Sequence, residues 1–482
     1  MGVMTYISFN FYLFVIAVLL LYYIVPVKLR WCILLAANIM FYLAVCRPCW
    51  WILCGTVIVS YTVALLLNRC HGTGKKLLFA AGVISVIVPW LFFRNGNFIW
   101  HNVLGREPYT LIVPLGISFY TMQIIAYLAD VYRGDISPQK NPAKYALFIT
   151  FFPQILQGPI PRYRQLGEQL LCGHLFDETK FTGGFYLIVW GFFLKLVIAD
   201  KAAVIVNTVF DHYPAYGGGY IWMASVLYSI QLYADFLSCT TLAQGVSLLF
   251  GIELRKNFER PYLAVSVKDF WRRWHISLSS WLKDYIYISM GGSRNGKWRK
   301  YLNLAVTFLV SGIWHGAGLK YLLWGGIHGF YQMVGDGLDS FLEKTDICLK
   351  IEPGSKEKRR IRQTGTFLLV NFAWILFRAD TAEIGIKMII HMFSEFNPWI
   401  FFNDRVFTLG LGWKEMAVLF LAVALLAAVE KKQEEGIVIS ECIMRQRLPV
   451  RWLVCMAGIC VIMVLGTYGY GFDMQDFIYG GF

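Results

Sequence analysis

Charge is what this sequence is short of. Acidic and basic side chains make up 15% of its 482 residues, where a soluble domain carries about 25%. That scarcity excludes a chain wrapped on all sides by a hydrated surface. The usual catalytic signatures are missing as well: there is no P-loop, no HExxH, no GxSxG and no GxGxxG ahead of a helix. The 11 cysteines form no framework. Cys32, Cys54, Cys455 and Cys460 sit in apolar runs, where a free thiol acts as a small hydrophobe. Cys46-Arg-Pro-Cys49 is a lone CxxC without a second ligand pair, so no metal site is expected. No repeat of 20–50 residues and no low-complexity tract interrupts the chain.

What the sequence has in abundance is apolar length. Hydrophobic residues are 57% and the mean hydropathy is +0.54. Twelve apolar runs follow one another, from Phe9–Val25 to Trp452–Thr467. Several are shorter than the ~20 residues that cross ~30 Å of hydrocarbon, which predicts tilted or re-entrant segments. The expected protein is an all-α polytopic membrane protein with one integral domain over residues 1–482. Its peripheral N-terminal spans cover about 1–105, its core about 110–380 and its C-terminal spans about 381–482. The first run lacks a basic flank and a small-residue cleavage site, and reads as an anchor. Two polar breaks, Lys344–Arg362 and Glu430–Arg451, read as solvated connectors.

The net charge of +14 is unevenly placed. Loops after the first, third and fifth runs carry Lys28, Arg30, Arg69, Lys75, Lys76, Arg133, Lys140 and Lys144. Loops after the second and fourth carry Arg47, Arg94 and Arg106. The richer side is expected in the cytoplasm, which puts the N-terminus outside. Basic residues scattered over loops beside apolar spans do not make a nucleic-acid surface, so no nucleic-acid partner is expected.

The segment Asn257–Gly316 holds the densest chemistry. From Val267 to Tyr285 apolar residues fall at Val267, Phe270, Trp271, Trp274, Leu278, Trp281, Leu282 and Tyr285, a helical stripe. Arg272, Arg273 and Lys283 take the opposite arc, facing water, anionic membrane lipid or a phosphate-bearing donor. On such a helix His275 lies roughly 80° from the stripe centre, at the apolar–polar edge. Periodicity alone also allows an interfacial histidine with no role. His315 follows LNLAVTFLVSGIW and precedes GAGLKYLLWGG. No opposite charge lies near it in sequence, and a neutral imidazole is a competent general base. Gly312, Gly316, Ala317 and Gly318 leave space for a ligand or for a close backbone. A histidine hydrogen-bonded between helices is the competing reading. His328, in WGGIHG, reads as support. His71, His101, His174, His212 and His391 read as uninvolved.

These residues resemble the membrane-bound O-acyltransferase (MBOAT) family, on the branch of bacterial alginate and polysaccharide O-acetylation, with D-alanyl transfer to teichoic acid as a cousin. The resemblance rests on PLGISFYTMQIIAYLADVYRG (Pro114–Gly134), FFPQILQGPIPRY (Phe151–Tyr163), LKLVIADKAA (Leu194–Ala203), QLYADF (Gln231–Phe236), NFERPY with SVKDFWRRWHISLSSWLKDYIYISMGGSR, then SGIWHG, LLWGGIHG and the terminal FIYGGF. The chain departs from the family's DFSGYSD-like turn at Asp235–Thr241, and has Gly480-Gly481 where an aromatic is common.

The resemblance implies a helical core with re-entrant and interfacial helices around a central tunnel. It implies acyl transfer from a thioester to a hydroxyl, with His315 as the catalytic histidine and His275 as the second polar residue. Arg272, Arg273, Trp274, Lys283, Trp314 and His328 are expected to bind the donor or support the site. The donor is expected to be cytosolic acetyl-CoA, or else an acyl-carrier-protein phosphopantetheine thioester, with no metal. The acceptor is expected to be an extracytoplasmic polysaccharide, reached through an SGNH-like partner transferase at a bacterial plasma membrane. A transporter or flippase would need paired halves with matching broken helices, which the sequence does not have.

Overall fold

A computed structural model describes residues 4–107, 112–348, 355–468 and 477. The chain is 79% helical, and no strand occurs among the described residues. The helices separate into two compact units, Met1–Ile188 with Cys239–Lys256, and Val189–Ser238 with Asn257–Ile478. Nearly all of FIYGGF, with Gly480-Gly481, and residues 349–354 of the first polar break lie outside the described residues.

The first unit begins with α1 (Phe9–Ile24), α2 (Arg30–Cys46), α3 (Trp50–Leu67) and α4 (Gly72–Phe98). They match the first four apolar runs. Val27–Leu67 and Gly72–His101 are both long and apolar enough to cross a membrane. The second of these is only 17% buried within the protein, so most of its apolar surface is left for lipid. Then come α5 (Ile117–Arg133), α6 (Pro142–Thr150), the single turn α7 (Phe152–Ile155) and α8 (Tyr163–Cys172). The short helices α6 to α8 carry too little apolar sequence to stand out as runs.

Two of the quoted motifs meet here. Gly116 of PLGISF has φ 70°, and a Cβ there would lie 2.3 Å from the Ile155 carbonyl of FFPQI. Asn38 fixes the same turn, accepting the Phe152 N–H at 2.9 Å and donating to Thr150 Oγ1 at 3.1 Å. The Tyr6 hydroxyl donates to the Pro153 carbonyl at 2.8 Å. Buried polar groups in an apolar unit are thus spent on fixing one irregular turn.

The remaining helices are α9 (Glu178–Phe192), α10 (Asp200–Asp211), α11 (Gly218–Leu249), α12 (Val267–Arg273), α13 (Ile276–Leu282), α14 (Gly296–His315), α15 (Leu319–Cys348), α16 (Lys356–Arg378), α17 (Ala382–Ser394), α18 (Trp413–Glu434), α19 (Ile439–Met444) and α20 (Leu448–Leu465). The described parts of both polar breaks are largely helical. Residues Lys344–Cys348 end α15 and Lys356–Arg362 begin α16, capped by Ser355. Glu430 and Glu434 close α18, and Glu430 is buried. Most described side chains of the two breaks are exposed, as expected of solvated segments, whereas Glu430 and Glu434 are held by Tyr233 and by arginines.

In the second unit, Phe193–Ala199 forms a π-helical turn ahead of α10. That turn carries Lys195, 1% exposed, with Asp235 Oδ1 at 2.8 Å and Asp200 Oδ1 at 3.0 Å. The Asp235 segment, expected as a turn, lies inside α11. There it supplies a carboxylate to the buried lysine, which a helix can do as well as a loop. The helices α14 and α15 approach closely. A Cβ on Gly312 would lie 2.4 Å from the Tyr321 carbonyl, and one on Gly325 2.3 Å from the Phe308 carbonyl.

Candidate active site

The amphipathic stretch does not form one helix. Ser266 caps α12, accepting the Asp269 N–H at 3.1 Å, and α12 ends at Arg273. The NFE of NFERPY then braces the break. The Asn257 carbonyl accepts the Ile276 N–H at 2.9 Å, Asn257 Oδ1 accepts the Ser277 N–H at 3.2 Å, and the Glu259 N–H donates to the Arg273 carbonyl at 2.9 Å. These bonds satisfy groups that two abutting helix ends would otherwise leave bare.

His275 sits in that break with φ 42° and ψ 54°. A left-handed backbone is uncommon for a residue with a Cβ, and such strain clusters at functional sites. The expected edge position is therefore overturned: the helix stops, and the side chain turns inward until 1% of it is exposed. Burial lowers its pKa to about 3, so the ring is neutral at physiological pH. Neither ring nitrogen has a hydrogen-bond partner among the described residues. Its neighbours are rings, Phe236 at 4.7 Å and Trp314 at 5.9 Å between centroids.

His315 is the last residue of α14 and is 2% exposed. Trp314 and Trp324 each lie 4.9 Å from its ring and Phe377 lies 5.3 Å away. His275 and His315 thus both contact one indole, that of Trp314. Of the two uses expected for the nearby glycines, close backbone packing is the one observed at Gly312. At Gly316 the Tyr321 ring fills the space, 2.5 Å from where a Cβ would stand.

His328 is fully buried and 5.1 Å from Trp324. The Trp271 indole donates to its Nδ1 at 3.2 Å. An indole only donates, so this bond fixes the neutral tautomer with its hydrogen on Nε2. Trp274, also buried, packs 5.1 Å from Trp374, which stacks on Trp324 at 5.7 Å. The five aromatic or histidine candidates Trp274, His275, Trp314, His315 and His328 therefore share one aromatic bed.

The basic candidates are placed differently. Arg272 and Lys283 are exposed. Arg273 is held by Glu434 at 3.0 Å and Asp269 at 3.2 Å. An apolar recess of about 660 Å³ lies elsewhere, lined by Trp222, Met223, Val226, Leu227, Phe393 and Phe396, and contains none of the histidines.

The model of the membrane-bound O-acyltransferase family matches residues 136–350, which contain both His275 and His315. The probable alginate O-acetylase of Pseudomonas putida is 33% identical over 433 residues, 86% of this chain and 85% of the relative. The chain belongs to the membrane-bound O-acyltransferase family. The peptidoglycan O-acetyltransferase of Helicobacter pylori is 33% identical over 70% of this chain and 69% of its own length. The teichoic acid D-alanyltransferase of Bacillus subtilis is 30% identical over 62% of this chain and 77% of its own length. The protein is therefore a membrane acyltransferase.

Several residues with fixed partners near or away from the histidines went unexpected. Phe236, Lys195, Asp200, Glu430 and Glu434 were not singled out as contributors. A signal existed for Lys195, Asp200 and Asp235, which are charges inside apolar runs. Nothing local showed that they pair with one another.

Proposed function

We propose that this enzyme moves an acetyl group from a cytosolic thioester, acetyl-CoA, towards hydroxyls of an extracytoplasmic polysaccharide, by way of a partner transferase. The observation that carries the reading is the pair of buried histidines that both pack against the Trp314 ring. His315 takes the proton from the attacking hydroxyl as its oxygen adds to the thioester carbonyl. The tetrahedral intermediate collapses, the carbon–sulfur bond breaks, and the imidazolium returns its proton to the leaving thiolate. His275, neutral and without a hydrogen-bond partner among the described residues, offers a hydrogen bond to the donor or the oxyanion. Aromatic walls keep water from the thioester.

The acetyl donor is favoured by the greater similarity to O-acetylating relatives. A carrier-protein thioester is the second reading, favoured by the similarity to D-alanyltransferases. Thioester turnover by purified protein in detergent tests the first reading. His315→Ala should lose about 10²–10⁴ in rate while remaining folded. A variant keeping more than about half the activity would remove His315 from the role of base.

A further inference from the structure

Four side chains outside the aromatic bed converge on one point. Arg260 Nε donates to Glu434 Oε2 at 2.6 Å, Arg273 Nη1 to the same oxygen at 3.0 Å, and Arg359 Nη2 to Oε1 at 2.9 Å. The arginines come from the loop before α12, the end of α12 and the first turn of α16. Asp269 shares Arg273 at 3.2 Å. Three guanidiniums thus contact two carboxylates, and a third carboxylate, Glu430, lies within electrostatic reach of Arg260.

The backbone is bent to build this cluster. Arg260 has φ 52°, and besides His275 it is the one non-glycine residue with positive φ among the described residues. The side chains of Arg260, Arg273, Arg359 and Glu434 are 24%, 21%, 52% and 19% exposed, so water-borne groups reach them. Converging guanidinium forks suit the several oxygens of a phosphate better than the two of one carboxylate. One turn earlier on α18, Glu430 accepts the Tyr233 hydroxyl, and the Tyr233 ring lies 5.9 Å from Trp274, the neighbour of His275.

We infer that Arg260, Arg273 and Arg359 form a binding site for the phosphate-bearing arm of the thioester donor, with Glu434 as the internal anion that this phosphate displaces. The inference rests on the thioester-donor reading above and deepens it. Arg273 is two residues from His275, so a phosphate held here anchors the donor beside the break that presents that histidine. Glu434 keeps the three forks apart and oriented while the site is empty of donor.

The test titrates full-length protein in detergent with inorganic pyrophosphate, read by calorimetry, with no turnover required. Glu434→Gln removes the competing charge and should tighten pyrophosphate binding roughly five- to tenfold, and Arg359→Gln should weaken it by a similar factor. A network that only ties helices together predicts a lower unfolding midpoint for Glu434→Gln with unchanged pyrophosphate affinity, and that result overturns the inference. Repeating the titration in phosphatidylcholine nanodiscs with and without phosphatidylglycerol separates the two sources of phosphate. If phosphatidylglycerol displaces pyrophosphate and acetyl-CoA does not, the ligand is a lipid headgroup and the donor assignment falls. His315→Ala should bind pyrophosphate normally, so a failure of the proposed reaction and a failure of this site are read separately.

Discussion

His275 shows how much one residue's backbone decides. A residue at φ 42° can be replaced without new strain only by one that tolerates the left-handed region. Asn does so and keeps a side-chain donor. Gln keeps a donor, and Ala keeps neither property. The expected order of acyl-transfer rates is therefore wild type, then Asn and Gln, then Ala, with Ala reduced by about 10² or more. Thioester turnover beside an unfolding midpoint checks this. Equal loss in all three variants would instead assign proton transfer to His275. The sequence marked this residue through its Trp and Arg neighbours, yet it placed the side chain at a helix edge. The stripe from Val267 to Tyr285 holds on both sides of the break, and a period of 3.6 carries no trace of an interruption that Asn257 braces from 18 residues away.

The α14–α15 pair is set by contact between backbones. With the Tyr321 carbonyl 2.4 Å from a notional Cβ at Gly312, Gly312→Ala must push the helices apart. The expected destabilisation is about 1–3 kcal/mol, with loss of activity because α14 carries His315. A detergent melting curve and a turnover assay read the two effects. The π-helical turn makes a second element-scale prediction. Lys195→Met leaves Asp200 and Asp235 buried without their shared cation, which should destabilise by roughly 3–5 kcal/mol. Adding Asp200→Asn and Asp235→Asn should recover part of the loss. No recovery in the unfolding midpoint would mean that the lysine acts by some route other than charge balance.

For the whole molecule, lipid is the solvent that explains the composition. Phe9 and Ile24 of α1 are 76% and 78% exposed, and the α20 window is only 6% buried. Such surfaces are stable only where hydrocarbon covers them. The eight-to-three asymmetry in basic residues between successive apolar runs, several of them at helix ends, then makes an orientation prediction. In a Cys-free background, a cysteine at Gly74 meets no neighbouring atom. A membrane-impermeant thiol reagent should label it in sealed inverted vesicles and not in right-side-out ones. The reverse pattern would turn the protein over and put the donor on the other face.

The sequence by itself determined the membrane class, the order and approximate place of the long helices and the family, and it marked the two histidines as candidates. Those properties are local: lipid selects apolar length, and the motifs are contiguous strings that can be matched without coordinates. Tertiary structure alone decided that His275 lies in a helix break, that Phe236 packs against it and that the glycines near His315 seat Tyr321. It also decided that Lys195 pairs with Asp235 across 40 positions and Arg273 with Glu434 across 161. The physical reason is that charge and ring contacts depend on which helix faces meet. A single chain's composition and period say which faces are apolar, and they do not say against which partner each face is buried.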